Sequence, residues 1–384
     1  MTGFTRTLVA VAAVSSAIVA GPSASAGVAC GSTFGLVASP NAASGDTILQ
    51  DADATSPTNA WAVGTGNGAA FALRWDGSTW HQVSVPTIGT RTVLSAVALA
   101  SPHDIWAVGE FVNSHGKNRS LALHRTTGGW VQVPTPNIGK TSSDLFRISV
   151  VGPSDIWATG SSDVQGVAHP LVVHWNGTKW KRFDPPAIGS DDNFMEGLAA
   201  VGPGDAWISE QFHDPQTGKD RAATFHFTGS SWHREHFTQP AAGDVDPRDL
   251  VAFGPNAVWM AGFYQHSGHA VGLLEQWNGT DWVQSTSDAT GSDVFLEAID
   301  GFSAKNVSAV GAFASGGPDE FAFAEHLHGG VWTRVPTDEP SMETSSQMVG
   351  AAAATSGSDK RVWAVGWTEI NSGPRQSLVQ QACP

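Results

Sequence analysis

The sequence predicts an all-β protein that forms a seven-bladed β-propeller of four-stranded antiparallel blades. Three observations support this prediction. The 43 glycines and 21 prolines among 384 residues are too many for a helical bundle. A phrase of the type Asp-x-Trp-Ala-Val-Gly recurs seven times with small variations. Between its copies lie Asn-Gly and Asp-Gly pairs, which favour the tight turns of β-hairpins.

The recurring phrase sets the period of the repeat. Its tryptophan position recurs at spacings of 45, 51, 50, 52, 49 and 55 residues, and serine replaces tryptophan in the sixth copy. The residues at this position are Trp61, Trp106, Trp157, Trp207, Trp259, Ser308 and Trp363. A unit of about 50 residues with four short strands is typical of one propeller blade.

A second tryptophan phrase, with a hairpin turn inside it, completes each unit. Examples are WDGSTW at residues 75–80, WNGTKW at 175–180 and WNGTDW at 277–282. In the second unit the four expected strands are Val93–Ala100, Asp104–Phe111, Ser120–Arg125 and Trp130–Pro134. The Asn-Gly-Thr triplets also match the acceptor sequence for N-glycosylation, and a tight turn is the favoured alternative.

The two ends of the sequence predict how the ring closes. After the strands expected at Arg361–Thr368 and Gln376–Ala382, the seventh unit has no fourth strand. The segment Phe34–Pro40 resembles the fourth strands of other units, so we expect it to complete the last blade and cover its open edge. Cys30 and Cys383 flank this junction and are the only cysteines, which predicts a disulfide between them; two free thiols are the alternative.

The first 26 residues have the pattern of a secretory signal peptide. Arg6 precedes an apolar run of 13 residues, and the small residues Ala24-Ser25-Ala26 follow it. We therefore expect residues 1–26 to be removed on export, which leaves residues 27–384 as a single secreted propeller domain. A lipid anchor at Cys30 is the alternative. No later stretch has the 18 apolar residues of a membrane span.

The charge of the chain excludes one class of partner. Without Arg6 the expected mature chain has 19 Lys and Arg against 35 Asp and Glu, a net charge of −16. Proteins that bind nucleic acid need clustered positive charge, so we expect no nucleic-acid partner.

The pairing of DxWAVG with W-[DN]-G-x-x-W resembles the tandem repeats of secreted bacterial β-propellers, especially those of actinomycetes, and more loosely Kelch and BNR repeats. The resemblance covers residues 27–384 and implies the propeller fold. It implies no single activity, because that group is functionally mixed. The Asp box of sialidase-type repeats has the form S-x-D-x-G-x-T-W. Here Asp76-Gly77-Ser78-Thr79-Trp80 lacks the residue between Asp and Gly, and Tyr264, the single tyrosine, has no supporting trio of arginines.

We expect function on one face of the ring, termed here the variable face. It carries the loops that enter each inner strand and the hairpins between strands two and three, which differ in length and composition. Alignment of the inner strands places charged residues near the mouth of the central channel: Arg147, Glu196, Arg248, Asp249 and Glu297. Such groups could share a proton or bind a cation, and the alternative is a solvated rim without a ligand.

The candidate residues fall into three groups. Glu196, Asp249 and Glu297, with His266, are candidates for acid–base catalysis. The candidates for ligand binding are Arg147, Arg248, Tyr264, Trp367, His213 and His269. The candidates for a divalent cation, the only cofactor we consider, are Asp192, Asp246 and Asp293.

Two classes of function remain open from the sequence. The first is a monomeric extracellular binding protein whose variable face engages a glycan, a small molecule or another protein, because no catalytic motif has its usual spacing. The second is a propeller enzyme, a cation-assisted or acid–base lyase or hydrolase, with its site at the channel mouth.

Overall fold

The described residues of the chain form seven four-stranded antiparallel sheets. The computed structural model describes residues 31–136, 142–189, 192–240, 243–289, 293–314, 316–317, 319–339 and 344–384, and these contain no helix. In six of the seven sheets the strands follow chain order, and in the seventh the N-terminal strand is added next to the last strand of the chain. Consecutive inner strands pack side by side. The predicted all-β propeller of seven four-stranded blades is confirmed. No helix in the described part is long and apolar enough to cross a membrane.

The first four blades lie along the chain from residue 47 to residue 235. Blade 1 consists of β2 (Thr47–Ser56), β3 (Asn59–Gly66), β4 (Ala69–Trp75) and β5 (Trp80–Gln82). Blade 2 consists of β6 (Arg91–Ser101), β7 (Asp104–Val112), β8 (Asn118–Thr126) and β9 (Gly129–Gln132). Blade 3 consists of β10 (Ser143–Gly152), β11 (Asp155–Val164), β12 (Val167–Trp175) and β13 (Trp180–Arg182). Blade 4 consists of β14 (Asn193–Gly202), β15 (Asp205–Asp214), β16 (Lys219–Thr228) and β17 (Trp232–Glu235).

The last three blades include the junction between the chain ends. Blade 5 consists of β18 (Val245–Gly254), β19 (Ala257–His266), β20 (His269–Trp277) and β21 (Trp282–Ser285). Blade 6 consists of β22 (Asp293–Ser303), β23 (Asn306–Ala314), β24 (Phe321–His328) and β25 (Val331–Val335). Blade 7 consists of β26 (Thr344–Ser356), β27 (Asp359–Ile370), β28 (Gln376–Ala382) and the N-terminal strand β1 (Gly35–Leu36).

The N-terminal segment closes the ring as predicted. Strand β1 pairs antiparallel with β28, and the backbone N–H of Val37 donates to the carbonyl of Val379 at 2.8 Å. The N–H of Cys383 donates to the carbonyl of Gly31 at 2.7 Å, so the first described residues and the C-terminal residues meet at this seam. Cys30 and residues 1–26 lie outside the described residues, so the disulfide and the signal peptide stay predictions.

Tryptophans fill the space between neighbouring blades. Trp106 of blade 2 is buried against Trp175 and Trp180 of blade 3, with ring centroids 5.1 and 5.6 Å apart. The ring of Trp106 also stacks on the ring of His124, with the centroids 4.1 Å apart. Nε2 of that histidine lies 2.7 Å from Oδ1 of Asp104. The same Asp–His–Trp arrangement recurs in blades 3 and 4. Most tryptophans of the repeat are therefore part of the core that joins the blades.

Each inner strand carries a β-bulge at the same place. One residue is left out of the pairing with the second strand, and a bulge of this kind redirects a side chain. The bulged residues are Gln50, Ser95, Phe146, Glu196, Arg248, Glu297 and Val349. The glycine that ends the WAVG phrase lies opposite the bulge. A Cβ added to Gly109 would lie 2.1 Å from the carbonyl oxygen of Val93, which explains the glycine at this position in blade 2.

Candidate functional site

Three of the bulged residues are charged, and they belong to the consecutive blades 4, 5 and 6. Nη1 of Arg248 lies 3.6 Å from Oε2 of Glu196, and its Nε lies 3.4 Å from Oε2 of Glu297. Nη2 lies 3.1 Å from Oδ2 of Asp246. One guanidinium therefore joins carboxylates from three neighbouring blades. We call these four residues the mouth network.

The mouth network continues into blade 7. Glu297 accepts a hydrogen bond from Nε2 of Gln347 at 3.3 Å, and Gln347 accepts one from Nε1 of Trp367 at 3.3 Å. The guanidinium of Arg248 also lies 5.3 Å from the ring centroid of Phe263. These contacts hold the charged groups in fixed positions.

Burial raises the pKa values of two carboxyl groups in the mouth network. It raises the pKa of Glu297 to about 7, although the Arg248 guanidinium opposes this effect. It raises the pKa of Asp246 to about 6, again against the attraction of Arg248 and with a further contribution from Glu196. A carboxyl group that titrates near neutrality at the mouth of a channel can donate or accept a proton there.

A second layer of charge lies deeper in the channel, in a cavity of about 300 Å³. Nε of Arg147 lies 3.9 Å from Oδ1 of Asp249, and its Nη2 donates to the carbonyl of Arg248 at 3.2 Å. Arg147 and Asp249 thus lie directly below the mouth network. Asp51 and Asp300 line the same cavity.

The channel aspartates tie neighbouring blades together. Each accepts a backbone N–H from the inner strand of the next blade at 2.7 to 3.0 Å. The donor and acceptor pairs are Val97 with Asp51, Leu99 with Asp53, Ile299 with Asp249, and Ala353 with Asp300. Inner strands have no further strand to pair with at the channel, so these side chains satisfy backbone donors that would otherwise lack a partner.

The channel aspartates also have raised pKa values. Burial raises the pKa of both Asp51 and Asp300 to about 8, against the backbone N–H groups that donate to them. The pKa of Asp53 rises to about 6 for the same reason. Asp51, Asp53 and Asp300 were not among the residues singled out from the sequence. They occupy the same aligned columns of the inner strands as Arg147 and Ser149, which is the signal that could have identified them.

The two aromatic candidates pack against other side chains of the protein. Trp367 is only 8% exposed, and the guanidinium of Arg375 covers its ring at 3.9 Å. Tyr264 is half-buried and packs against the apolar cluster between blades 4 and 5. The ring of Trp367 is therefore not open to a ligand on the side that Arg375 covers.

The histidine candidates lie away from the channel. His266 is exposed at the end of β19, where it pairs with His269 across the hairpin, and Nδ1 of His269 lies 3.3 Å from Oδ1 of Asp293. His213 contacts Asp220 at 3.0 Å. It lines a separate cleft of about 440 Å³ on the variable face, with residues from blades 3 and 4. The structure thus brings Glu196, Glu297 and Asp249 towards the channel mouth but not His266.

The three candidates for a cation site do not converge. Oδ1 of Asp192 accepts the N–H of Ala168 at 2.8 Å, and Oδ1 of Asp293 accepts the N–H of Ala270 at 2.7 Å. Each of these links holds the hairpin of the preceding blade, while Asp246 contacts Arg248. Among the described residues no three His, Cys, Asp or Glu side chains are grouped so that they could hold a metal ion. Each of the three candidates therefore has a partner within the described protein, and a cation site at these residues stays a prediction.

Comparisons with known proteins support the fold. No protein-family model matches the sequence, and no curated protein sequence matches it. Among solved structures, YCF48 bound to D1 peptide has a TM-score of 0.55 at 13% identity, covering 90% of this chain and 94% of that one. YCF48 from Cyanidioschyzon merolae has a TM-score of 0.54 at 15% identity, covering 91% and 98%. A polysaccharide lyase, the PL25 ulvan lyase bound to -[GlcA(1-4)Rha3S]-, has a TM-score of 0.59 at 10% identity, covering 87% and 94%. At these identities the similarity shows that the propeller fold is shared, and it gives no information about activity.

Proposed function

We propose that this protein is a secreted binding protein that engages an extracellular glycan or protein through the variable face. The observation that carries the proposal is the mouth network, in which Arg248 joins Glu196, Asp246 and Glu297. Charged groups that are already fixed by one another form a preorganised surface for a ligand. The described residues that line the channel cavity below include no histidine or cysteine, so no Ser–His or Cys–His pair for nucleophilic catalysis lies among them.

The charge of the mouth indicates which ligands it would favour. Seven carboxyl groups and two guanidinium groups belong to the mouth and the channel cavity. Even with several carboxyls protonated, this region attracts cations and donors of hydrogen bonds and repels polyanions. We therefore propose a basic protein segment or a neutral glycan as the ligand, in preference to an acidic glycan.

Export is part of the same proposal. The signal-like segment at residues 1–26 and the resemblance to secreted actinomycete propellers both support it. We further propose that the protein is a monomer that presents one face of the ring to its ligand.

Binding of hexalysine, a neutral oligosaccharide array and hexaglutamate tests the proposal. The double variant Glu196→Gln/Glu297→Gln removes two charges from the mouth with little change of shape. We expect it to weaken the binding of hexalysine or of a neutral glycan by about tenfold or more, which corresponds to about 1.4 kcal/mol. The control variant Asp281→Asn/Asp359→Asn removes two charges from turns on the opposite face and should leave binding unchanged. Tighter binding of hexaglutamate, or equal binding by all three proteins, would contradict the proposal.

An acid–base enzyme is the alternative, and one observation favours it. The raised pKa of Glu297, about 7, would suit a group that exchanges a proton with a substrate at neutral pH. Turnover of a polysaccharide by the wild type, lost in Glu297→Gln and dependent on a group that titrates near pH 7, would favour the enzyme. Binding without turnover would favour the binding protein.

A further inference from the structure

The interface between blades 6 and 7 lacks the tryptophans that fill the other interfaces. Ser308 holds the position of Trp106 and its equivalents in the second strand. On the side of blade 7, Ala382 holds the place of Trp75, and Phe34 lies next to it where blade 1 has Trp80. Three positions that hold tryptophan at other interfaces therefore hold serine, alanine and phenylalanine here.

The smaller side chains leave a pocket of about 380 Å³ on the face opposite the variable face. Its walls include Ser308, Phe34, Ala382, Val335 and His326. The first three of these residues are at most 2% exposed, so the pocket reaches into the core of the interface. Its volume falls in the range of about 300–1,000 Å³ that is usual for small-molecule sites.

His326 keeps the position that supports a tryptophan ring in other blades. In blades 2, 3 and 4 the repeat tryptophan stacks on this histidine with centroid distances of 4.1, 4.3 and 4.0 Å. In blade 6 the cross-strand neighbour of His326 is Ser308, whose Oγ lies 2.9 Å from Nδ1 of the imidazole. Serine cannot cover the imidazole face as an indole does.

The surroundings of His326 also differ in charge from those of its equivalents. Burial, and then the proximity of His328 and Lys360, lower the pKa of His326 and so favour the neutral form of its ring. The aspartate that contacts the equivalent histidine in blades 2 to 4 is replaced by Asn306. The Oδ1 atom of Asn306 is buried and has no hydrogen-bond partner in the described part of the chain. It lines the pocket and could accept a ring N–H.

Lys360 adds a positive charge at the pocket. It lines the cavity, and its ammonium lies 5.3 Å from the ring centroid of Phe302. It forms no ion pair with a carboxylate among the described residues. A ligand with a carboxylate next to its ring would supply the missing countercharge.

We propose that the pocket between blades 6 and 7 binds a planar aromatic ring of indole size that carries a carboxylate. The ring takes the place of the missing tryptophan, stacks on His326 and donates its N–H to Asn306, while the carboxylate contacts Lys360. The source of the ring is either a free indole carboxylate or the C-terminal tryptophan of a peptide. This site lies on the opposite side of the ring from the mouth network and does not depend on its function.

Calorimetric titration with indole-3-acetate, indole, cyclohexylacetate and the peptide Gly-Gly-Trp tests the site. We expect wild-type protein to bind indole-3-acetate, and to bind cyclohexylacetate more weakly by about tenfold. Binding of indole-3-acetate with higher affinity than Gly-Gly-Trp indicates a free small molecule, and the reverse order indicates a peptide.

Variants of the pocket complete the test. Ser308→Trp restores the repeat residue and should abolish binding while raising the melting temperature, because the indole fills the cavity. Ser308→Phe is a second filling variant, and Asp281→Asn, in a turn of blade 5 on the same face, is the control that should leave binding unchanged. Lys360→Gln should weaken indole-3-acetate by about tenfold but not indole itself. Failure of all the aromatic probes to bind wild type would overturn the proposal, and so would binding that neither filling variant reduces.

Discussion

Substitution of Glu210 tests whether burial raises the pKa of a carboxyl group in this protein. Glu210 lies in β15 at the position where the six other blades have glycine. Its side chain is 0% exposed, and neither carboxyl oxygen has a hydrogen-bond partner in the described structure. Burial raises its pKa from 4.5 to about 8, with only a partial opposing effect from Arg234. The perturbation is Glu210→Gln, which keeps the shape and removes the titration.

The raised pKa fixes the sign of the effect. In the folded protein Glu210 retains its proton at pH values where the unfolded chain has lost it, so folding becomes less favourable as the pH rises. The stabilisation is complete below pH 4.5 and is lost as the pH rises towards 8. Each pKa unit corresponds to about 1.36 kcal/mol, so the wild type should lose about 3 kcal/mol through this one group between pH 5 and pH 8.

Urea denaturation of both proteins at pH 5 and pH 8 measures this difference. We expect the free energy of unfolding of Glu210→Gln, relative to wild type, to increase by about 3 kcal/mol from pH 5 to pH 8. Glu235→Gln, in the outer strand β17 of the same blade, is the control and should show no such change. A difference between Glu210→Gln and wild type that is the same at both pH values would refute the assignment of a buried, protonated Glu210.

Two further predictions concern the channel. Arg248→Met leaves three carboxyl groups without their shared cation and should lower the free energy of unfolding by about 2–3 kcal/mol at pH 8. The loss should shrink at pH 5, below the raised pKa values of Glu297 and Asp246, and an equal loss at both pH values would contradict the mouth network. Asp300→Ala removes the acceptor for the N–H of Ala353 and should cost about 1–3 kcal/mol at pH 5. The cost should fall as the pH rises towards 8, because ionisation of the buried Asp300 then destabilises the wild type. Asp300→Asn keeps an acceptor, so thermal melts should show a smaller loss than for the alanine variant, and a gain at high pH relative to wild type.

The fold could be predicted because the same residue pattern recurs seven times, so each copy can be compared with the others. The phrase around Trp106 marks the second strand, and the expected strand Asp104–Phe111 differs from β7 by one residue at its end. The closing strand was predictable for the same reason, since the seventh copy has only three of the four strands. The residue pattern within the units and the spacing between them predict the same four-stranded blade. Agreement between local and overall signals makes such a prediction reliable.

The charged mouth was predictable only in part. Alignment of the inner strands located Glu196, Arg248 and Glu297, because all three occupy the same position relative to the end of the strand. It did not reveal that this position is a bulge, since the bulge depends on pairing with the second strand. Asp300 was missed because its role is a hydrogen bond to the inner strand of the next blade, 53 residues further along the chain.

The aromatic candidates show a different limit. Trp367 lies outside the repeat pattern, and an unusual aromatic residue on a variable face suggests a stacking surface. Its ring is instead covered by Arg375, which follows it in the next strand connection. Whether a side chain is exposed depends on contacts that a single sequence does not contain.

Departures from the repeat are not spread evenly around the ring. The three charged bulge residues belong to blades 4, 5 and 6, whereas Gln50, Ser95, Phe146 and Val349 hold the same position uncharged in the other blades. Blade 4 also contains Glu210, and blade 6 contains Ser308. A residue that departs from six internal copies costs packing or burial energy, and such a cost is most often retained where a site needs it. The variable face of blades 4 to 6 and the opposite face between blades 6 and 7 are therefore the two regions where substitutions should affect binding most strongly.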